Sequence, residues 1–118
     1  MKNAAVGFRP HSGWTSVVVV SLEKGKPFVL LRERVHLVKT FNYSFRQPYH
    51  TAARAPLEEG RAFVQRVKSD ARKLACEALQ SVQDKLRTAD CRLTHAGLLL
   101  SAGKPLPPLE NAGFHYKR

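Results

Sequence analysis

The sequence predicts a single α/β domain in which three antiparallel strands precede one long helix and a fourth strand parallel to the first. Three observations support this fold class. The turn signals "HSG" and "EKGK" separate three strand-like stretches in the first third of the chain. Apolar residues recur every three or four positions over residues 56–88, which is the period of a helix. The apolar run 96–100 then indicates a last strand, which a right-handed crossover places parallel to the first.

The first three strands form a predicted meander. Residues 4–9 are short and apolar and end at a proline, and residues 14–22 follow the Ser-Gly turn. Four consecutive valines in the second strand lack the alternation of a half-exposed strand, so we expect both of its faces to be covered. The third strand is predicted over residues 28–38, antiparallel to the second.

Basic side chains alternate with apolar ones along the third strand. Val29, Leu31 and Val35 occupy odd positions, whereas the even positions carry Arg32, Arg34 and His36. One interpretation is an anion-binding strand face. The other is a solvated face whose arginines protect the strand from edge aggregation.

The second half of the chain is predicted to begin with a long aperiodic loop, residues 39–55, which contains aromatic residues and a histidine. The helix over 56–88 has a proline and two glutamates at its start and basic residues in its last turn, as the helix dipole favours. The fourth strand is predicted over 92–101, with its apolar part and His95 in the core. Residues 102–118 are expected to form an irregular tail.

Composition limits the possible functions. The 20 Lys and Arg residues outnumber the 9 Asp and Glu, and this net charge of +11 favours nucleic acid or another polyanion as a partner. No apolar run approaches the roughly 20 residues of a membrane span. The start of the chain has no apolar core of a secretory signal, so we expect a cytoplasmic protein. Cys76 and Cys91 lack metal-site spacing, and we expect no metal and no cofactor.

The element order and the segment Gly7-Phe8-Arg9-Pro10-His11-Ser12-Gly13 resemble the ribonuclease H-like superfamily, in particular Holliday-junction resolvases and actin-like ATPases. The resemblance implies an aspartate on the first strand and an acid at the end of the fourth, which together hold two metal ions. Arg9 stands where that aspartate is expected, and the fourth strand ends Leu100-Ser101-Ala102-Gly103 without an acid. A guanidinium cannot ligate a metal, so we expect no two-metal nuclease chemistry.

The family fold also has a fifth strand after another helix, and the 17 residues that follow Ser101 are too few for both. We therefore expect either a four-stranded sheet or an edge completed by a neighbour, and we predict a homodimer.

Two candidate chemistries remain for the loop after the first strand. In an enzyme, Ser12 would be a nucleophile with His50, or less directly His11, as its base, in a hydrolase-type reaction. In a binding domain, Arg9, Arg46 and His50 would clamp an anion, with Trp14 or Tyr49 as a stacking surface. A third interpretation is that the loop only turns the chain. The predicted ligand-binding residues are Arg9, His11, Ser12, Arg46, Gln47, Tyr49 and His50.

Overall fold

The computed structural model describes residues 1–99 and contains a four-stranded mixed sheet with one long helix. The strands are β1 (Lys2–His11), β2 (Trp14–Glu23), β3 (Lys26–His36) and β4 (Cys91–Leu98). The helices are α1 (Tyr43–Arg46), α2 (Pro48–Ala52) and α3 (Leu57–Thr88). The strand order is β3-β2-β1-β4, with β1 antiparallel to β2 and parallel to β4. The predicted meander, long helix and parallel fourth strand are confirmed. The predicted tail, and residues 100–101 of the predicted fourth strand, lie outside the described residues.

The core lies between α3 and one face of the sheet. Alternate residues of the two central strands are buried there: Val6 of β1, and Val17 and Val19 of β2. Val82 and Leu86, one turn apart on α3, pack against them. Every second side chain of a strand faces α3, where it meets the apolar stripe that recurs every 3.6 residues along the helix. This packing fixes which face of each strand is buried.

The prediction that both faces of β2 are covered is wrong. Val17 and Val19 are fully buried, whereas Val18 and Val20 on the opposite face are only half-buried. The described part of the chain has one long helix, and it covers one face only. The run of valines therefore reflects the preference of β-branched residues for strands rather than burial on two sides.

The predicted burial of the fourth strand is also wrong. β4 lies at the edge of the sheet, and its residues from Thr94 onwards, including His95, are exposed. Leu98 retains 59% of its accessible surface. Only the start of the strand, with buried Cys91 and half-buried Leu93, lies under the C-terminal turns of α3. The other cysteine, Cys76, is exposed on α3.

The prediction of an irregular loop over residues 39–55 is wrong for about half of its length, because α1 and α2 lie there. The side chain of Asn42 caps α1 by accepting a hydrogen bond from the backbone N–H of Phe45 at 3.1 Å, and Pro48 opens α2. Gly60 lets α2 and α3 approach closely, since a Cβ there would lie 2.8 Å from the carbonyl oxygen of Ala52.

α3 is longer than the sheet that it covers. Its 32 residues span roughly 48 Å, and none of the residues between Val67 and Val82 is buried. An apolar cavity of about 230 Å³ lies there, between Ala75, Ala78 and Leu79 of α3 and the ends of β1 and β4. Nothing in the described residues shows what covers it, and the homodimer stays a prediction. Of the three described helices, none combines the length and the apolar character that a bilayer span needs.

Candidate functional site

The sheet face turned away from α3 presents the main candidate site, and the described contacts over it are confined to one end, where Phe41 packs on His36. We call it the open face. The strand register places its side chains in rows that run across the sheet. Arg9, Ser16 and Arg34 form one row. The open-face side chains are Asn3, Ala5, Gly7, Arg9, His11, Trp14, Ser16, Val18, Val20, Leu22, Pro27, Val29, Arg32, Arg34, His36, Arg92, His95 and Gly97.

The charge of the open face has one sign. Four arginines point from it: Arg9, Arg32, Arg34 and Arg92, which we call the arginine set. Among the described side chains of the face there is no aspartate or glutamate. Glu33 of β3 projects from the opposite face, where it pairs with Lys85 of α3. No ion pair formed within residues 1–99 includes the arginine set.

Aromatic rings form the end row of the open face, beside Arg9 and Arg34. His11, Trp14 and His36 are in register on three adjacent strands. The His11 and Trp14 rings are stacked with their centroids 4.1 Å apart, and the Arg34 guanidinium carbon lies 4.1 Å from the centre of the Trp14 ring. Cation–π contact therefore orders Arg34 without a carboxylate that would neutralise it.

A second group repeats this arrangement. The ring of His36 stacks on Phe41 at 4.0 Å, and the Arg46 guanidinium carbon lies 4.5 Å from the centre of the Phe41 ring. Trp14 and His36 are cross-strand partners, so the two groups are neighbours. Each group contains one histidine, one larger aromatic ring and one arginine. Together they make a pre-ordered cationic corner at one end of the open face.

The hairpin loop between β1 and β2 is tied to α1. Arg46 Nε donates a hydrogen bond to the Ser12 carbonyl oxygen at 3.1 Å, and Gln47 Nε2 donates to Ser12 Oγ at 2.8 Å. Gly13 has φ +78°, a left-handed conformation that glycine adopts without strain, and its carbonyl accepts from Leu37 N–H. The structure thus brings three predicted site residues together: Ser12, Arg46 and Gln47.

The remaining predicted residues have other contacts. Arg9 and His11 lie on the open face of β1, next to this corner. Tyr43 Oη and His50 Nδ1 are hydrogen-bonded at 3.0 Å, and Lys68 Nζ lies 5.6 Å from the centre of the Tyr49 ring. The hydrogen bond at Ser12 Oγ comes from the Gln47 amide nitrogen, which donates and cannot accept the hydroxyl proton. This contact therefore does not activate Ser12 as a nucleophile.

A shallow groove runs along the open face beside Arg9. Its volume is about 500 Å³, and Gly7 and Gly97, partners on β1 and β4, form part of its floor. A Cβ on Gly97 would meet nothing within 4 Å, and one on Gly7 would meet only a backbone oxygen at 3.9 Å. The two glycines therefore leave room on the face rather than relieve a clash. The groove gives a ligand direct access to β1 and to the β2 and β4 residues beside it.

Three contributors to this surface were not identified from the sequence: Phe41, Arg92 and Gly97. Arg92 lies on the open face because its strand partner is Asn3, whose side-chain oxygen accepts a hydrogen bond from Arg92 Nε at 2.9 Å. The β-bulge between Ala4 and Ala5 changes the relation between position and face along β4. Only the register between β1 and β4 could have revealed this arginine.

The two side chains whose pKa is clearly shifted lie away from the open face. The ion pair between Lys2 and Glu23, at 2.7 Å, raises the pKa of Lys2 and lowers that of Glu23 through a shared hydrogen bond. Within residues 1–99, no three His, Cys, Asp or Glu side chains converge where they could hold a metal ion.

No protein-family model, no curated protein and no solved structure matches the chain.

Proposed function

We propose that this protein binds nucleic acid on its open face, with the arginine set contacting the phosphate backbone. The observation that carries the proposal is one sheet face with four arginines and no described acidic side chain. Arginine presents a planar array of donors that matches phosphate oxygens. Phosphate contacts supply most of the affinity of nucleic-acid-binding proteins.

The spread of the arginines favours a polymer over a small anion. Arg34 on β3 and Arg92 on β4 belong to the two edge strands, and three strand spacings of about 4.8 Å separate them across the sheet. They also lie at opposite ends of the strands, because Arg34 is in the row of Arg9 whereas Arg92 pairs with Asn3. One phosphate cannot reach both. A chain of phosphates laid over the groove can.

We also propose that the sheet is a ribonuclease H-like core without the metal-binding acids of that superfamily. Its support is the order β3-β2-β1-β4 with β1 parallel to β4, together with Arg9 in the position where the resemblance implies an aspartate. The activity proposed here is therefore binding, without phosphodiester cleavage. A cytoplasmic location and a homodimer accompany the proposal as predictions.

The test is a binding titration with a fluorescently labelled 20-nucleotide strand, read by anisotropy at 50 mM salt. Arg32→Glu reverses one charge of the open face, on β3 two residues from Arg34, and is expected to weaken binding about tenfold or more, because a charge-assisted contact becomes a repulsion. Arg72→Glu makes the same change on exposed Arg72 of α3 and should have little effect. No binding by the unaltered protein, or equal losses in the two variants, would refute the proposal.

A further inference from the structure

The end row of the open face differs from the rest of it in chemistry. His11, Trp14 and His36 replace the arginines and aliphatic side chains of the neighbouring rows, and His11 is exposed while its ring lies flat on Trp14 at an interplanar angle of 13°. Phosphate binding does not need a row of stacked rings. An exposed aromatic ring next to a phosphate-binding row is instead the arrangement on which nucleobases stack.

We propose that the nucleic acid bound on the open face is single-stranded and that one of its bases stacks on His11, with Trp14 supporting the ring from behind. This inference rests on the proposed function and narrows it to a substrate class. The bases of a duplex are stacked on each other and cannot offer a free face to a side chain. Unpaired bases can be splayed onto aromatic rings.

The distances along the strands fit one nucleotide in contact with two rows. Arg9 and His11 point from the same face two residues apart on β1, which is about 6.7 Å in an extended strand. A phosphate held between Arg9 and Arg34 would therefore place an attached base within reach of the His11 ring. Arg34 is itself packed on Trp14, so the phosphate-binding group and the stacking platform are one ordered unit.

The chain carries a direct reporter of this contact, because Trp14 is its one tryptophan. We would titrate the protein with three probes: a 12-nucleotide oligothymidylate, a strand of the same length that keeps the sugar-phosphate backbone but has no bases, and a 12-base-pair duplex. We expect the oligothymidylate to change the Trp14 fluorescence and to bind roughly tenfold more tightly than the abasic strand, since stacking adds to the phosphate contacts. The duplex should bind more weakly than the oligothymidylate.

Two histidine variants provide a matched comparison. His11→Ala is expected to lower the affinity for the oligothymidylate roughly tenfold and to leave the affinity for the abasic strand unchanged. His95→Ala removes an exposed histidine from the same face at the row of Ala5, away from the rings, and should leave the ratio of the two affinities unchanged. Both side chains are exposed, so we expect both variants to fold.

The outcomes separate the two proposals. Equal affinities for the abasic strand and the oligothymidylate, or tighter binding of the duplex, would overturn the stacking inference and leave the phosphate-binding proposal standing. A loss in His11→Ala that is the same for both strands would also overturn the inference. Failure of every probe to bind would refute the proposed function itself.

Discussion

The salt dependence of binding provides a quantitative test of the open face. If all four members of the arginine set contact phosphates, the logarithm of the affinity for a single strand should fall with the logarithm of salt concentration with a slope of about −2.8, at about −0.7 per contact. Raising the salt from 50 to 200 mM should then weaken binding about 50-fold. The change tested is Arg92→Gln, which removes a charge from the edge strand β4 and leaves the cationic corner intact.

The variant should reduce the slope to about −2.1 and the loss over the same salt range to about 18-fold. The assay is fluorescence anisotropy of a labelled strand at five or more salt concentrations. Arg72→Gln, on exposed α3, is the control and should keep the slope of the unaltered protein. A slope near zero in the unaltered protein would contradict phosphate binding as such. An unchanged slope in Arg92→Gln would show that β4 is not part of the contact surface.

Two further predictions concern the scaffold beneath the face and are tested by denaturant unfolding. Gly13→Ala should destabilise the fold by about 1–2 kcal/mol, because an L-residue is strained at φ +78° and its Cβ would lie 2.8 Å from Arg46 Cγ. Gly25→Ala imposes the same strain with nothing within 4 Å, so equal losses would argue against the Arg46 contact. Val82→Ala should cost about 2 kcal/mol, since Val82 is buried in the core. Val18→Ala, on the half-buried face, should cost less, and an equal cost would contradict the one-sided core.

Local signals made the elements of the sheet and the long helix predictable. The turns at Ser12-Gly13 and Lys24-Gly25 both place a residue with positive φ between antiparallel strands, and the sequence marks each turn with glycine. The long helix has a proline at its start and charges that suit its dipole, so its predicted first and last residues lie within one residue of those observed. α1 and α2 are four and five residues long, too short for a helical period to show.

The candidate site was harder to predict than the fold because it depends on register. The sequence indicated Arg32, Arg34 and His36 as one face of a strand, and the structure places them on the open face. It also indicated Arg46 and Gln47 as neighbours of the first loop, and both donate hydrogen bonds to Ser12. Whether Arg9 and Arg34 share a row depends on pairing across three strands. That pairing is set by two hairpin turns and by the β-bulge between Val19 and Val20, which shifts the register by one residue, and the pattern within one strand does not show such a shift.

The way in which the arginines are held bears on what the face can bind. The charge of an arginine that is ordered by a carboxylate is largely neutralised by that partner. An arginine that is ordered by an aromatic ring keeps its net positive charge and most of its hydrogen-bond donors. Arg34 is packed on Trp14 and Arg46 on Phe41, and the nearest acidic residue of β3, Glu33, lies on the opposite face of the sheet. The arginines of the corner are thus held against rings and keep their charge before any ligand arrives, so an anion bound there need not displace a carboxylate partner, and the cost of ordering the side chains is lowered. A face that served only to keep the sheet edge soluble would gain nothing from that order.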